Sequence, residues 1–472
     1  MDRESMEREP KYSPEPESGG AIARFFKFAE LNTNLRTEII AGVTTFITMA
    51  YILVVNPGIL SNAIFLEQSG DLFGELVIAT AISAAIATLV MGLLSNYPFA
   101  LAPGMGLNAF FAFSVVIGLG ISWRLALAAV LVEGLLFIGM TITGMRSQII
   151  TTIPDCLKRA TAVGIGLFIA YIGLGGDPAV GGAGIIVSSE ATKTTLGDLA
   201  NPATIMAIFG ILITTAFIAR RIKGALLWGI IATAVLGWIL GIAQPPQGLV
   251  ALPQMPVDLL GQAFVGLGQI SGENLANFLA VTFVFLFVDL FDTVGTLSGV
   301  GIQAGMINDR GELPKSGAAF MADAVGTTVG AIMGTSTVTT YIESAAGVSE
   351  GGRSGFTAIV VAGLFVLSIF FIPVFSAVPA FATAAALVIV GVLMAGNVTG
   401  INWSDPAESI PSFLTILIMP LSYSIAEGLA VGFITYPLIK AFQGKAHETN
   451  LAVWILAGVF ILRFVLLALG IA

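Results

Sequence analysis

Histidine and cysteine each occur once in 472 residues, as His447 and Cys156. One of each cannot build an ordinary zinc site, and a lone cysteine excludes a disulfide framework. Ser–His–Asp chemistry would have to borrow His447, which sits in a C-terminal stretch expected to be solvated. There is no HExxH and no Walker A loop, so the chain carries no metalloprotease signature and no site for ATP-driven work. It is read as a non-enzyme without a metal. Charge is also scarce. Only 10% of residues are Asp, Glu, Lys or Arg, against about 25% in a soluble chain, and no basic array suggests nucleic acid. These scarcities exclude an ordinary soluble enzyme and a disordered chain. What is present is apolar: 56% of residues are hydrophobic and the mean hydropathy is +0.95. The chain must therefore bury its apolar surface in lipid.

A membrane helix needs about 20 mostly apolar residues. Such runs predict fourteen spans: Glu38–Gly58, Leu76–Ser95, Pro98–Gly118, Trp123–Thr143, Ala160–Gly175, Pro202–Ala219, Ala225–Ala243, Leu275–Val300, Gly317–Met333, Gly334–Ser349, Ser354–Phe375, Val378–Asn397, Ile410–Ser424 and Glu427–Phe442. A further apolar run, Leu451–Ala472, follows. Cytoplasmic loops carry an excess of Lys and Arg. With the N-terminus inside, 17 of the 20 basic residues fall on the cytoplasmic side, leaving Arg124 and Lys193 outside and Arg463 within the last run. Arg463 argues against a free-standing lipid-exposed span there, and for a helix packed on the bundle or lying at the interface. The first 18 residues hold six acids with Pro and Gly and read as a flexible cytoplasmic tail.

The two halves echo each other. ATAVGIGLFIAYI from Ala160 resembles ATAAALVIVGVLM from Ala382, and KGALLWGII from Lys223 resembles EGLAVGFIT from Glu427. Seven spans per half is odd, so the second copy must be inverted. Two segments in corresponding places interrupt their spans. Asn96–Asn108 contains Pro98, Pro103, Gly104 and Gly106; Gly334–Gly347 is rich in Ser, Thr and β-formers. Neither suits a continuous helix. Irregular backbone at membrane depth is tolerated only where protein or a wet cavity satisfies it. The matched breaks predict a central binding site, with half-helices directing N–H groups inward.

Acids at mid-bilayer are costly and face a partner or a pathway. Six qualify: Glu133, Asp289, Asp292, Asp323, Glu343 and Glu427. Glu133 is expected to hydrogen-bond across helices, and Glu427 to be exposed or capping. Asp323 serves equally well as site or scaffold. Asp289 and Asp292 share a helical face at i, i+3, and two carboxylates there cannot both ionise cheaply, which suits proton coupling. Asp292 is read three ways, as binding, coupling or locking helices. Glu343 with Ser344 in the second break, and Asn108 followed by Phe110 and Phe111 at the first, suit a flat hydrogen-bonding heterocycle. Thr44, Thr45 and Thr48 are expected to back-bond within their helix.

LNTNLRTEIIAGVTTFITMAYILVVNPGIL, NYPFALAPGMGLNAFFAF, FVDLFDTVGTL, ADAVGTTVGAIMGTSTVTTYIESAAGVSEGGRSG and the KGALLWG turn resemble the azaguanine-type (AzgA-like) adenine–guanine–hypoxanthine permeases of the nucleobase–ascorbate transporter superfamily. The resemblance runs from about Leu31 to about Gln443. It implies an all-α membrane protein with 14 transmembrane helices in two inverted 7-helix repeats and short strands in discontinuous spans 3 and 10. It implies a core of residues 31–159 and 246–377 and a gate of residues 160–245 and 378–443, often at a dimer contact. Residues 1–30 and 444–472 are tails, the second with the extra helix. The implied function is import of purine nucleobases by proton symport across the cell (inner or plasma) membrane, with no cofactor beyond the proton gradient. The implied site is Glu343, Asp289 and Asn108 for substrate, with Ser344 and Phe110 beside them, and Asp292, Asp289 and Asp323 for the proton. An anion transporter or channel of the same architecture is the rival.

Overall fold

In the computed structural model, residues 20–144, 152–176, 182–307 and 313–468 are described. Most of the acidic N-terminal stretch, together with Arg146 and Arg310, lies outside them. Among the described residues, ten helices are long and apolar enough to cross a membrane, and four shorter apolar helices accompany them. The protein is a multi-pass membrane protein.

The spans follow the apolar runs closely. Trp123–Thr143 and Pro202–Ala219 form helices over those bounds. Ser122 and Asn201 cap them by accepting the Leu125 and Ala203 N–H groups, which replaces missing helical partners. The first span is two helices, Leu35–Met49 and Ile52–Leu60, meeting at Ala50–Tyr51. The Leu451–Ala468 helix packs on the fourteenth span, Ile425–Phe442.

Packing displays the repeat. Let the second span be Phe73–Leu94, the fourth Trp123–Thr143, the eighth Leu275–Gln303, the ninth Ser316–Met333 and the eleventh Gly355–Ser376. The second packs on the ninth; the second on the eleventh as the ninth on the fourth; the first on the eleventh as the eighth on the fourth. The fifth (Asp155–Leu174), sixth (Pro202–Ala219), twelfth (Ala380–Gly400) and thirteenth (Pro406–Leu421) obey the same rule. The fifth packs on the twelfth, and the fifth on the thirteenth as the twelfth on the sixth. Shifting each member of these pairs by seven spans, counted around fourteen, returns the second–ninth and fifth–twelfth pairs to themselves and turns each of the others into its observed counterpart. Small residues let these helices approach: Gly92 and Gly355 stand so close that neither backbone leaves room for a Cβ on the other.

Both predicted breaks are extended. Strand β1 (Leu101–Pro103) lies in the third span; β2 (Ile186–Ser189) and β3 (Lys193–Leu196) form a partly exposed hairpin that hydropathy did not mark; β4 (Val338–Thr340) lies in the tenth. β1 and β4 pair antiparallel with Leu101 opposite Thr340 and Pro103 opposite Val338. A three-residue ladder leaves outer edges unsatisfied, which is expensive away from water. Two threonines resolve this symmetrically. The Thr88 hydroxyl accepts from Leu101 N–H at 2.9 Å and donates to its carbonyl at 3.0 Å. The Thr327 hydroxyl does the same for Val338 at 3.3 and 3.1 Å.

Candidate functional site

Past each strand the chain returns to helix. The third span continues as Met105–Ala109 and then a wider π-helix, Phe110–Gly118; the tenth continues as Ser344–Ser349. The expected site residues gather where these pieces meet the eighth and ninth spans.

Glu343 is half-buried and its Oε1 accepts from the Tyr51 hydroxyl at 2.7 Å. Asp292 is also half-buried; it hydrogen-bonds Thr339 of β4 and lies within electrostatic reach of Asp323 and Glu343. Asp289 and Asp323 are fully buried. The Thr293 hydroxyl links them, 3.2 Å from Asp289 Oδ1 and 2.8 Å from Asp323 Oδ1, and meets the Thr339 hydroxyl at 3.2 Å. So Asp289, Asp323 and Asp292 are joined through the Thr293 and Thr339 hydroxyls, while Glu343, held by Tyr51, lies within electrostatic reach of Asp292.

Asn108 is fully buried and its Oδ1 accepts from the Ser336 hydroxyl, while Nδ2 has no hydrogen-bond partner among the described residues. The Ser344 hydroxyl accepts from the Ala100 N–H at 2.9 Å, so it closes the end of the strand pair. Phe110 packs edge-on against Phe285 with centroids 4.9 Å apart, one turn before Asp289. Phe111 meets the same ring at 6.3 Å.

The extended run into β4 is a hub. Thr335 accepts from Asn56 Nδ2 at 2.9 Å, Ser336 donates to Asn108, and Thr337 donates to Glu133 Oε2 at 2.9 Å. Each neighbour comes from a different span. Glu133 thus bonds across helices as expected. Thr48 back-bonds to the Thr44 and Thr45 carbonyls, and also reaches the Glu343 carbonyl at 3.4 Å. Glu427 departs from expectation: it is half-buried and accepts from Arg463 Nη2 at 2.7 Å, because the last helix brings that guanidinium against it. Sequence reasoning missed Tyr51, Thr293 and Thr339. Their hydroxyls look like ordinary helix and strand residues until distant spans are paired.

Among the described residues no group of three or more His, Cys, Asp or Glu is placed to hold a metal ion. The acids here accept side-chain hydrogen bonds from the hydroxyls of Tyr51, Thr293, Thr337 and Thr339.

Comparison with known proteins bears on this arrangement. The model of a family described as "Permease family" (Xan_ur_permease) matches residues 36–467. A putative permease of Methanocaldococcus jannaschii is 52% identical over 95% of this chain and 99% of its own. The guanine/hypoxanthine permease PbuG of Bacillus subtilis is 43% identical over 94% and 99%, and the adenine permease AdeP of Escherichia coli 40% over 94% and 96%. Among solved structures, the transmembrane domain of a cyanobacterium bicarbonate transporter, BicA, superposes with a TM-score of 0.59 at 15% identity, covering 84% of this chain and 97% of that one. The murine Slc26a9 anion transporter in its inward-facing state gives a TM-score of 0.59 at 10% identity, over 93% and 74%. At such identities these two establish the shared fold alone. With the family match running almost end to end, the chain belongs to the Permease family, and its relatives are transporters rather than enzymes.

Proposed function

We propose that this protein imports purine nucleobases by proton symport, through alternating access of a core (residues 31–159 and 246–377) against a gate (residues 160–245 and 378–443), with its N-terminus in the cytoplasm. The observation that carries the reading is the convergence of Asp289, Asp292, Asp323, Glu343 and Asn108 on the β1–β4 junction. The relatives named as guanine/hypoxanthine and adenine permeases supply the cargo.

Glu343 and Asp289 accept hydrogen bonds from ring N–H or exocyclic amine groups. Asn108 Oδ1 accepts from Ser336 and its Nδ2 has no partner among the described residues, so Nδ2 donates to a ring nitrogen or exocyclic oxygen. Phe110 and Phe285 form an aromatic wall on that side. Stacking of a base on such a ring is worth about 1–3 kcal/mol. A proton taken up by the Asp289/Asp292 pair, with Asp323 joined through Thr293, removes a buried charge and lowers the cost of moving the loaded core. Release follows deprotonation at the higher internal pH.

Two contacts suit relative motion of core and gate. Lys223, between the sixth and seventh spans, pairs with Glu350 after the tenth. Gly224, at φ +71°, rests against Ile47 of the first span with no room for a Cβ. Together they close the face expected to be cytoplasmic. A homodimer through the gate is part of the same reading. An anion carrier or channel shares the fold, but a site lined by carboxylates disfavours an anionic cargo. The test is purine uptake in intact cells. Asp289→Asn and Glu343→Gln should each abolish it while leaving expression intact. Normal, uncoupler-insensitive uptake in both variants would overturn the assignment.

A further inference from the structure

We infer that Tyr51 is a positioning residue, holding the Glu343 carboxylate in the orientation that receives the cargo; this rests on Glu343 being a purine ligand. Tyr51 lies at the junction of the two helices of the first span and is fully buried, with its hydroxyl 2.7 Å from Glu343 Oε1. A buried phenol needs a hydrogen-bond partner, and an ionised carboxylate only accepts. The phenol therefore donates, and the bond is charge-assisted, stronger and more directional than a neutral one.

The rest of the first span fixes the same residue. Thr48 Oγ1 lies 3.4 Å from the Glu343 carbonyl. Thr45 Oγ1 and the Ala41 carbonyl press on Gly347 so closely that a Cβ there has no space. The first span thereby holds the backbone of the half-helix after Glu343 and one of the two carboxylate oxygens. Oε2 is left to the cargo, in a plane set by Tyr51. Tyr341, also buried beside this junction, cannot take over the task, because its hydroxyl donates to the Pro103 carbonyl at 2.5 Å. Tyr51 thus acts on the purine through Glu343.

The test is a double-mutant cycle on full-length purified protein with labelled hypoxanthine as the probe, read by equilibrium binding and by KM and Vmax after reconstitution. Tyr51→Phe removes one oxygen and keeps the ring's packing. It should weaken binding about tenfold, the scale of a hydrogen bond to a charged group, and raise KM by a similar factor with Vmax within about twofold. In the Glu343→Gln background, where uptake is already abolished and the cycle is read by equilibrium binding alone, it should add no further loss. Wild-type-like binding by Tyr51→Phe, or losses that multiply in the double variant, would overturn the inference while leaving the purine reading intact. A wild-type protein that binds no hypoxanthine would overturn both. If Tyr51→Phe does not fold, Glu343→Asp replaces it: the shorter arm keeps the charge but withdraws it from Tyr51, and should cost about as much. Unimpaired binding by that variant would equally refute the role.

Discussion

Arg463 and Glu427 form an ion pair at 2.7 Å with side chains only 22% and 27% exposed, joining the last helix to the fourteenth span. Around it, Phe460 of the last helix meets Phe433 of the fourteenth span and Phe283 of the eighth, each at 6.1 Å. An arginine in the middle of an apolar run is thereby given a counter-charge. Removing one member leaves the other stranded, whereas removing both is far less costly. Arg463→Leu should lower stability by about 2 kcal/mol, and Arg463→Leu with Glu427→Gln should recover most of that. Thermal unfolding in detergent checks it.

Glu38 should be the most sensitive scaffold acid. It is fully buried at the start of the first span and accepts five hydrogen bonds. They come from the Thr33 hydroxyl, the N–H groups of Arg353, Ser354 and Thr357, and the Thr357 hydroxyl. Three of these donors sit around the N-terminus of the helix that begins at Gly355, where an anion is favoured. Glu38→Gln would set an amide N–H₂ against donors. A loss of roughly 3 kcal/mol follows from leaving buried donors unpaired, measurable as lower folded yield and a lower unfolding midpoint.

The Lys223–Glu350 pair should matter for transport more than for stability. Its side chains are 56% and 27% exposed, so the attraction is worth no more than about 1 kcal/mol. Lys223→Gln should slow purine uptake less than about fivefold, which is that energy expressed as a rate. Lys223→Glu places two like charges together and should slow it further. The swapped variant, Lys223→Glu with Glu350→Lys, should restore the rate. Initial uptake rates at fixed expression decide this.

Asp405 gives a pH dependence. Gln443 Nε2 at 3.0 Å and the Ala407 N–H at 2.9 Å hold its carboxyl below the usual carboxylate range. A group lowered in the folded state stabilises above its unfolded value, near 4, and loses that contribution as pH falls through the folded value. Asp405→Ala should therefore be less stable by about 1 kcal/mol, the scale of an N-cap. The gap should stay constant from pH 8 to about pH 5 and close in stronger acid. Unfolding midpoints of the two proteins across that range test it.

Much of this was legible in the sequence because lipid imposes a length and a polarity on every crossing. Trp123–Thr143 needed only its apolar run to be placed, and its Ser122 cap emerged with the structure. The two breaks were legible because Pro103 and the Ser/Thr run from Thr335 cannot sit comfortably in lipid-bound helices. Their pairing as β1 and β4 depends on an inverted repeat bringing residues more than 230 positions apart into register, which local pattern cannot show. The same holds for Tyr51 and Glu343, 292 positions apart. Tyr51 sits in an apolar stretch, and its hydroxyl acquires meaning only from its distant partner. Hydropathy gave no hint of the β2–β3 hairpin, because its two four-residue strands mix Ile, Val and Leu with Ser, Thr and Lys and are far too short to register as a span. The last helix was found as an apolar run, but its seat against the bundle required Glu427.

The most direct test of the account is labelled hypoxanthine uptake into proteoliposomes holding the wild-type protein, with the outside made acidic. The account predicts accumulation above the outside concentration, competition by adenine and guanine, and collapse to simple equilibration when a protonophore is added. Hypoxanthine that only equilibrates whatever the gradient, or vesicles that move chloride or bicarbonate and no purine, would contradict it.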